Sequence, residues 1–165
     1  MRKGSLLAML ALFTGCASMR VHSQVAPQAD LGHYQTFSWL PPSGKGPETI
    51  LDQQVRAVLR AELTQDGLRE APAGAADFLV DYHVLQEHNI GVTDWGNGIY
   101  GWDPEVVAYT DGSFIVDFID PRTNRVFWRA SATSVVEHPG IVNVSRLEKA
   151  ASQLMHRYPH RAPGA

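Results

Sequence analysis

Apolar and polar residues alternate from Met19 to Val25. Val21, Ser23 and Val25 fall on one face and Arg20, His22 and Gln24 on the other, which predicts a short strand. Tyr34 to Leu40 predicts a second strand, ending against Pro41-Pro42, and Pro42 to Pro47 reads as a loop. The period then changes. Leu51, Val55, Val58, Leu59 and Leu63 recur at three and four residues, the spacing of one helix face, with Thr49 placed as N-cap. Gly67 fits a left-handed C-cap with Leu68 set to contact Leu63. Phe78 to Leu85 returns to period two, with Phe78, Val80, Tyr82 and Val84 on one face and Asp81 and His83 on the other.

His88 to Asp103 is rich in glycine and aromatics and has no period. Val106 to Thr110 and Ser113 to Ile119 bracket Asp111-Gly112, a strong hairpin signal. A second turn is predicted over Asp120 to Arg125, and a further strand over Val126 to Val136. The closing helix carries Ser145-x-x-Glu148 as a capping box and a stripe of Leu147, Ala151, Leu154 and Tyr158. His156 and Arg157 suit its C-terminal dipole and Pro159 stops it. No internal repeat is present. The expected fold is α+β: a mainly antiparallel sheet of about five to six strands packed against two amphipathic helices.

The first residues obey a different logic. Arg2 and Lys3 precede eight apolar residues, Leu6 to Phe13. At 1.5 Å per residue these reach only about 12 Å, far short of the ~30 Å hydrocarbon core of a bilayer. They read as a secretory signal rather than a membrane span. Leu12-Phe13-Thr14-Gly15-Cys16 resembles a bacterial lipobox, with small residues before the cysteine and Phe13 in place of the usual leucine. That resemblance implies diacylglycerol on the Cys16 thiol, cleavage after residue 15 and acylation of the freed amine. The alternative is an ordinary signal cut near Ala17 with Cys16 incidental. Ala17 and Ser18 follow the cysteine with no aspartate of the kind that holds lipoproteins at the inner membrane. By an enteric-like sorting rule the expected location is therefore the periplasmic face of the outer membrane. The expected organisation is a signal peptide over 1–15, a lipidated tether over 16–18, a single domain over 19–160 and a frayed tail over 161–165. Ala17 to Arg20 spans only about 14 Å when extended, so the domain would sit close to the membrane.

Composition narrows the function. The 165 residues are 44% hydrophobic and 19% charged, as expected of one globular domain rather than a disordered or fibrous chain. The net charge is -3, and loss of Arg2 and Lys3 with the signal moves it to -5. No basic field exists for counterion release, so nucleic acid is not an expected partner. One cysteine excludes an intramolecular disulfide and any multi-cysteine metal site.

The stretch from Asp111 through Gly112, Phe114, Val116, Asp117, Phe118 and Asp120 continues over Pro121-Arg122-Thr123-Asn124-Arg125 to Phe127-Trp128-Arg129. It resembles the core signature of bacterial lipoproteins carrying the domain of unknown function 4136. Tyr34-Gln35-Thr36-Phe37-Ser38-Trp39-Leu40-Pro41 is similar to the family's first block, and the closing helix with Tyr158-Pro159 to its end. The resemblance spans about residues 19 to 160 and implies a small α+β envelope lipoprotein. It brings no catalytic residue with it.

Several groups remain as candidates for chemistry. Gly96-Asn97-Gly98-Ile99-Tyr100-Gly101 matches G-x-G-x-x-G, but Trp102-Asp103-Pro104 follows where a dinucleotide site needs a helix, so no dinucleotide is expected. Trp95, Tyr100 and Trp102 among glycines form a candidate binding surface for a polysaccharide or a protein of the envelope; the competing reading folds these rings over the sheet. Asp81, His83 and His88 are weak metal candidates, against a solvent-facing polar edge, because strand neighbours alone do not supply three converging ligands. Asp117 is expected to pair with Arg129 if the hairpin closes near residues 122 and 123, with Trp128, Val126 and Ala130 facing the helices. No nucleophile elbow is present, and lipidation would consume the only thiol. The expectation is a lipid-anchored, non-enzymatic binding or structural module without cofactor. The alternative is an envelope hydrolase or metal-dependent enzyme near Asp81, His83 and His88.

Overall fold

A computed structural model describes residues 19–27, 29–40, 48–93, 105–136 and 143–159, with side chains at 88–93 and 105–109 left out of the description. The strands are β1 (Arg20–Val25), β2 (Thr36–Trp39), β3 (Arg69–Glu70), β4 (Phe78–Thr93), β5 (Glu105–Asp120) and β6 (Arg125–Val136). The helices are α1 (Ile50–Gln65) and α2 (Val144–Met155), with a 3-10 turn over Leu31–His33. The strands form one sheet in the order β1-β6-β5-β4-β2-β3. β1, β6, β5 and β4 pair antiparallel in succession, while β2 runs parallel to both β3 and β4. This is the expected α+β arrangement, with α1 as the crossover that lets β2 and β3 lie parallel.

Both helices cover one face of the sheet. Val55, Leu59 and Leu63 of α1 and Ala151, Leu154 and Met155 of α2 meet Phe37, Phe78, Val80, Val116, Phe118 and Trp128, all essentially inaccessible to solvent. An aromatic cluster runs through this layer. Tyr34 stacks on Phe127 with ring centroids 3.9 Å apart, and Phe118 lies 4.5 Å from Trp128 and 5.2 Å from Tyr158. The predicted stripe of α2 is all buried.

The ends of α1 follow local chemistry. Thr49 accepts from the Asp52 backbone N–H at 3.1 Å while Asp52 accepts from that of Thr49 at 2.9 Å, a reciprocal capping box. At the other end Gly67 has φ +84°, Leu68 N–H donates to the Leu63 carbonyl and Gly67 N–H to that of Thr64, both at 3.0 Å. This is the Schellman closure that Gly67 and Leu68 predict.

Four expectations are corrected. Asp111-Gly112 is not a turn: β5 runs through it, with Gly112 opposite Gln86 on one side and Ser134 on the other. Gly112 lacks the positive φ a two-residue hairpin demands, and a Cβ there would lie 2.6 Å from Val136 Cγ2. Close approach, not turning, is what the glycine serves. β4 likewise continues past Leu85 to Thr93, into the segment that lacks a period. Val126 does not face the helices. A bulge between the Phe118 and Ile119 pairings sends Phe127 and Trp128 inward together and leaves Val126 40% exposed. Finally, α2 is capped by Asn143, which accepts from Arg146 N–H at 3.2 Å, rather than by Ser145. The turn between β5 and β6 is as expected, with Asp120 accepting from Arg122 N–H at 2.8 Å and Asn124 at φ 52°.

Candidate functional site

The face of the sheet away from the helices is built by the odd-numbered residues of β4 and β5, those of β6 from Arg129 onward, and the even-numbered ones of β1. Register places Asp81, Asp117, Arg129 and Gln24 in one row across four strands. Asp117 and Arg129 form the predicted pair: Arg129 Nε and Nη2 each donate to one Asp117 oxygen at 2.6 Å. The Asp117 side chain is only 4% exposed and sits opposite a second carboxylate, so it needs that cation. Hydrogen bonding to Asp117, and then its charge, holds the Arg129 guanidinium above its usual pKa. Asp117 is thereby committed and is no free base.

Asp81 and His83 come together, His83 Nε2 lying 3.3 Å from Asp81 Oδ2, while Asp81 Oδ1 accepts from Tyr82 N–H at 2.9 Å. The next row holds His83, Ile115, Ser131 and His22. Ser131 is therefore two strands from His83, or about 10 Å at 4.7–4.9 Å per strand, beyond hydrogen-bond reach of the imidazole. His88 pairs with Thr110 through the backbone, and its side chain lies outside the described residues. Among the described residues no group of three or more histidine, cysteine, aspartate or glutamate side chains is placed to hold a metal ion.

A second polar cluster ties two turns together. Asp120 accepts from the Tyr34 hydroxyl at 3.4 Å, and Arg122 Nη2 lies 3.1 Å from His33 Nε2. Burial works against the Asp120 carboxylate, but hydrogen bonds from Arg122 outweigh it and hold the group below the usual carboxylate range. The cluster pins the 3-10 turn to the β5–β6 turn.

The sequence pattern gives no sign of a hollow that the fold contains. A cavity of about 370 Å³ opens at the end of the sheet where β1 begins, between the strands and the first turns of α2. Met19, Val84, Phe114, Ala132, Leu147 and Ala150 form its apolar wall, with Asn143 and Arg146 also lining it. Arg146 Nη1 donates to the Val135 carbonyl at 2.8 Å. No local pattern could have found this site, because Gly112, Ala132 and Ala150, whose small size leaves it open, belong to three different elements.

Cys16, Trp95, Tyr100 and Trp102 lie outside the described residues, as does the G-x-G-x-x-G stretch. Among the described residues no helix is long and apolar enough to cross a membrane.

The model of the Domain of unknown function (DUF4136) matches residues 21–160. The chain belongs to this family. The DUF4136 match runs from the second residue of β1 through the end of α2, including the Asp117–Arg129 pair, the bulge and all of the cavity lining except Met19. No curated protein matches the chain. Among solved structures, a PDZ domain protein from Parabacteroides distasonis is similar with a TM-score of 0.63 and 17% identity, over 88% of this chain and 37% of its own. The chain thus spans little more than a third of that protein, and the likeness is one of fold. PelC from Paraburkholderia phytofirmans, crystallised as a dodecamer, matches at TM-score 0.47 and 14% identity over 84% of this chain and 96% of its own. A minor lipoprotein from Acinetobacter baumannii matches at TM-score 0.37 and 14% identity, over 74% of this chain and 91% of its own.

Proposed function

We propose that this DUF4136 protein is a lipid-anchored lipoprotein of the bacterial cell envelope, held on the periplasmic face of the outer membrane, and that its domain is a non-enzymatic binding or structural module. The observation that carries the reading is the position of the chain's single cysteine. Cys16 falls where an apolar segment preceded by Arg2 and Lys3 ends, three residues before the first described residue of the domain. In lipidation a bond forms between the Cys16 sulfur and a glyceryl carbon of a phospholipid, the thiol proton is lost and the phosphate headgroup leaves. Water then breaks the Gly15–Cys16 amide, and the freed amine takes a further acyl group from a second phospholipid. Each buried methylene contributes ~0.8 kcal/mol, so one chain is marginal and several anchor stably.

The open face of the sheet supports a binding or structural role over catalysis. Among the described residues the deeply buried Asp117 carboxylate is neutralised by Arg129, and Ser131, in the same row as His83, stands two strands away from it. The sequence also supplies Trp95, Tyr100 and Trp102, residue types suited to stacking on sugar rings or anchoring a protein partner.

Intact mass of the protein extracted from envelopes with detergent tests the anchor, beside Cys16→Ser. The expected mass is that of a chain beginning at Cys16 with acyl groups, absent from the variant. An unmodified mass for the native protein overturns the reading.

A further inference from the structure

We propose that the cavity beside Met19 houses one of the acyl chains carried on Cys16 of the same molecule. The inference rests on the lipoprotein reading and adds to it a seat for the lipid within the domain.

Three observations converge. The first is the cavity's size and lining. At about 370 Å³ it falls within the ~300–1,000 Å³ of typical small-ligand sites, and its wall is mostly aliphatic and aromatic. Protein interiors are otherwise close-packed, so a hollow kept open by Gly112, Ala132 and Ala150 on three elements is a feature of the fold. The second is reach. Met19 is part of the wall and stands three residues after Cys16, a span of at most about 11 Å in extended chain. A chain attached to the Cys16 sulfur or amine can enter with no rearrangement of the sheet. The third is polarity. Asn143 and Arg146 line the cavity together with the apolar wall, and an acyl chain carries its ester or amide at one end and hydrocarbon along the rest.

The energetics allow one seated chain at little cost. Hydrocarbon gains nearly the same ~0.8 kcal/mol per methylene on leaving water for an apolar cavity as for a bilayer, so moving one chain between them is close to neutral. The remaining chains keep the protein on the membrane. The seated chain fixes the end of the sheet that holds Arg20 and the first turn of α2 toward the lipid surface.

The test uses the full-length lipidated protein in its own membranes. A leucine-sized diazirine amino acid is placed at position 147, a second at position 84, and a control at position 115 on the open face. With each probe in a separate protein, mass spectrometry after illumination and trypsin should find the lipopeptide Cys16–Arg20 joined through an acyl carbon to the probe-bearing peptide of the proteins labelled at 147 and at 84, and not to that of the protein labelled at 115. Ser134→Trp, which narrows the cavity, should lower the yield at 147 at least tenfold with the lipid on Cys16 unchanged. Crosslinks to free phospholipid alone overturn the proposal by making the bilayer the source. Absence of any lipid crosslink on a protein whose Cys16 is acylated overturns it too, the cavity being then closed by the chain itself. A Cys16 without lipid, visible in the same spectra, is instead the failure of the lipoprotein reading.

Discussion

Gly112 is where a single atom decides between two conformations. In β5 its missing side chain lets Val136 of β6 lie across it, and an added Cβ would come within 2.6 Å of Val136 Cγ2. Valine is stiff at χ1, so the contact is relieved only by moving backbone. Gly112→Ala should therefore cost about 1–3 kcal/mol, as overpacking of a formed layer does. Val136→Ala in the same chain should recover most of the loss, which urea unfolding of the two single variants and the double variant would measure. A cost unchanged by Val136→Ala would place its origin in the backbone of Gly112 instead. Asp-Gly carries both meanings in a sequence, turn and close approach. What separates them is a residue 24 positions further along the chain, which no local pattern contains. The Asp117–Arg129 pair was legible because both partners lie in one hairpin whose turn, Asp120 to Arg125, announces itself.

Elements whose ends are set by adjacent residues were read well from the sequence. In α1 the Thr49 cap and the Gly67 closure are each completed within a few residues. Thr49→Ala should destabilise by about 1 kcal/mol through loss of the cap. Gly67→Ala should cost about 1 kcal/mol or more, since alanine must adopt φ +84°. The two sites stand at opposite ends of a 16-residue helix about 24 Å long, so their effects should add within about 0.5 kcal/mol. Chemical unfolding of the double variant checks this, and a marked shortfall would mean that one end already frays in the parent. Where the deciding contact lies outside the element, the local pattern is ambiguous. Asn143 and Ser145 are both capping residues two positions apart, and the helix starts from the earlier one. Val126 has the right parity to face inward, but the bulge changes parity to admit Phe127 against Tyr34. The cavity is further still from local legibility, being the space left between a sheet and a helix. Trp39 shows the same dependence on distant partners: Arg56 and Arg60 of α1 lie over its ring, and its Nε1 donates to Glu70 of β3 at 2.7 Å.

At the scale of the whole molecule the described residues make a sheet with one face covered by the helices and one face away from them, and the ionisable groups are sorted accordingly. Carboxylates that brace the loops prefer to be charged. Arg60 holds Glu70 below its usual pKa by hydrogen bonding. Burial opposes ionisation of Asp77, but hydrogen bonds from Thr36 and Gln35 lower its pKa overall, as those from Arg122 do at Asp120. Their contribution is complete above the unfolded values near pH 4 and is lost as pH falls through the folded ones. Phenols between the helices and the sheet prefer to stay neutral. Burial first, and then the neighbouring Asp52, pushes Tyr82 up to about 12, and burial first, then Tyr34, pushes Tyr158 to about 12. The sign is the reverse of the acidic side: stability from these tyrosines is complete below pH 10, the unfolded value, and drains away as pH rises toward 12. The urea midpoint should thus fall at both extremes, with the alkaline fall tracking tyrosinate absorbance. Tyr158→Phe separates this from general alkaline weakening. It keeps the ring against Phe118 and Trp128, 5.2 and 5.3 Å away, and removes the proton that must be lost. The variant should cost little at pH 7 and lose less than the parent between pH 10 and 12. An alkaline limb identical to the parent's would show that ionisation of Tyr158 does not drive the transition, and would leave Tyr82, bonded to Asp52 of α1 at 2.9 Å, and Tyr34, which burial also raises, as the groups to substitute next.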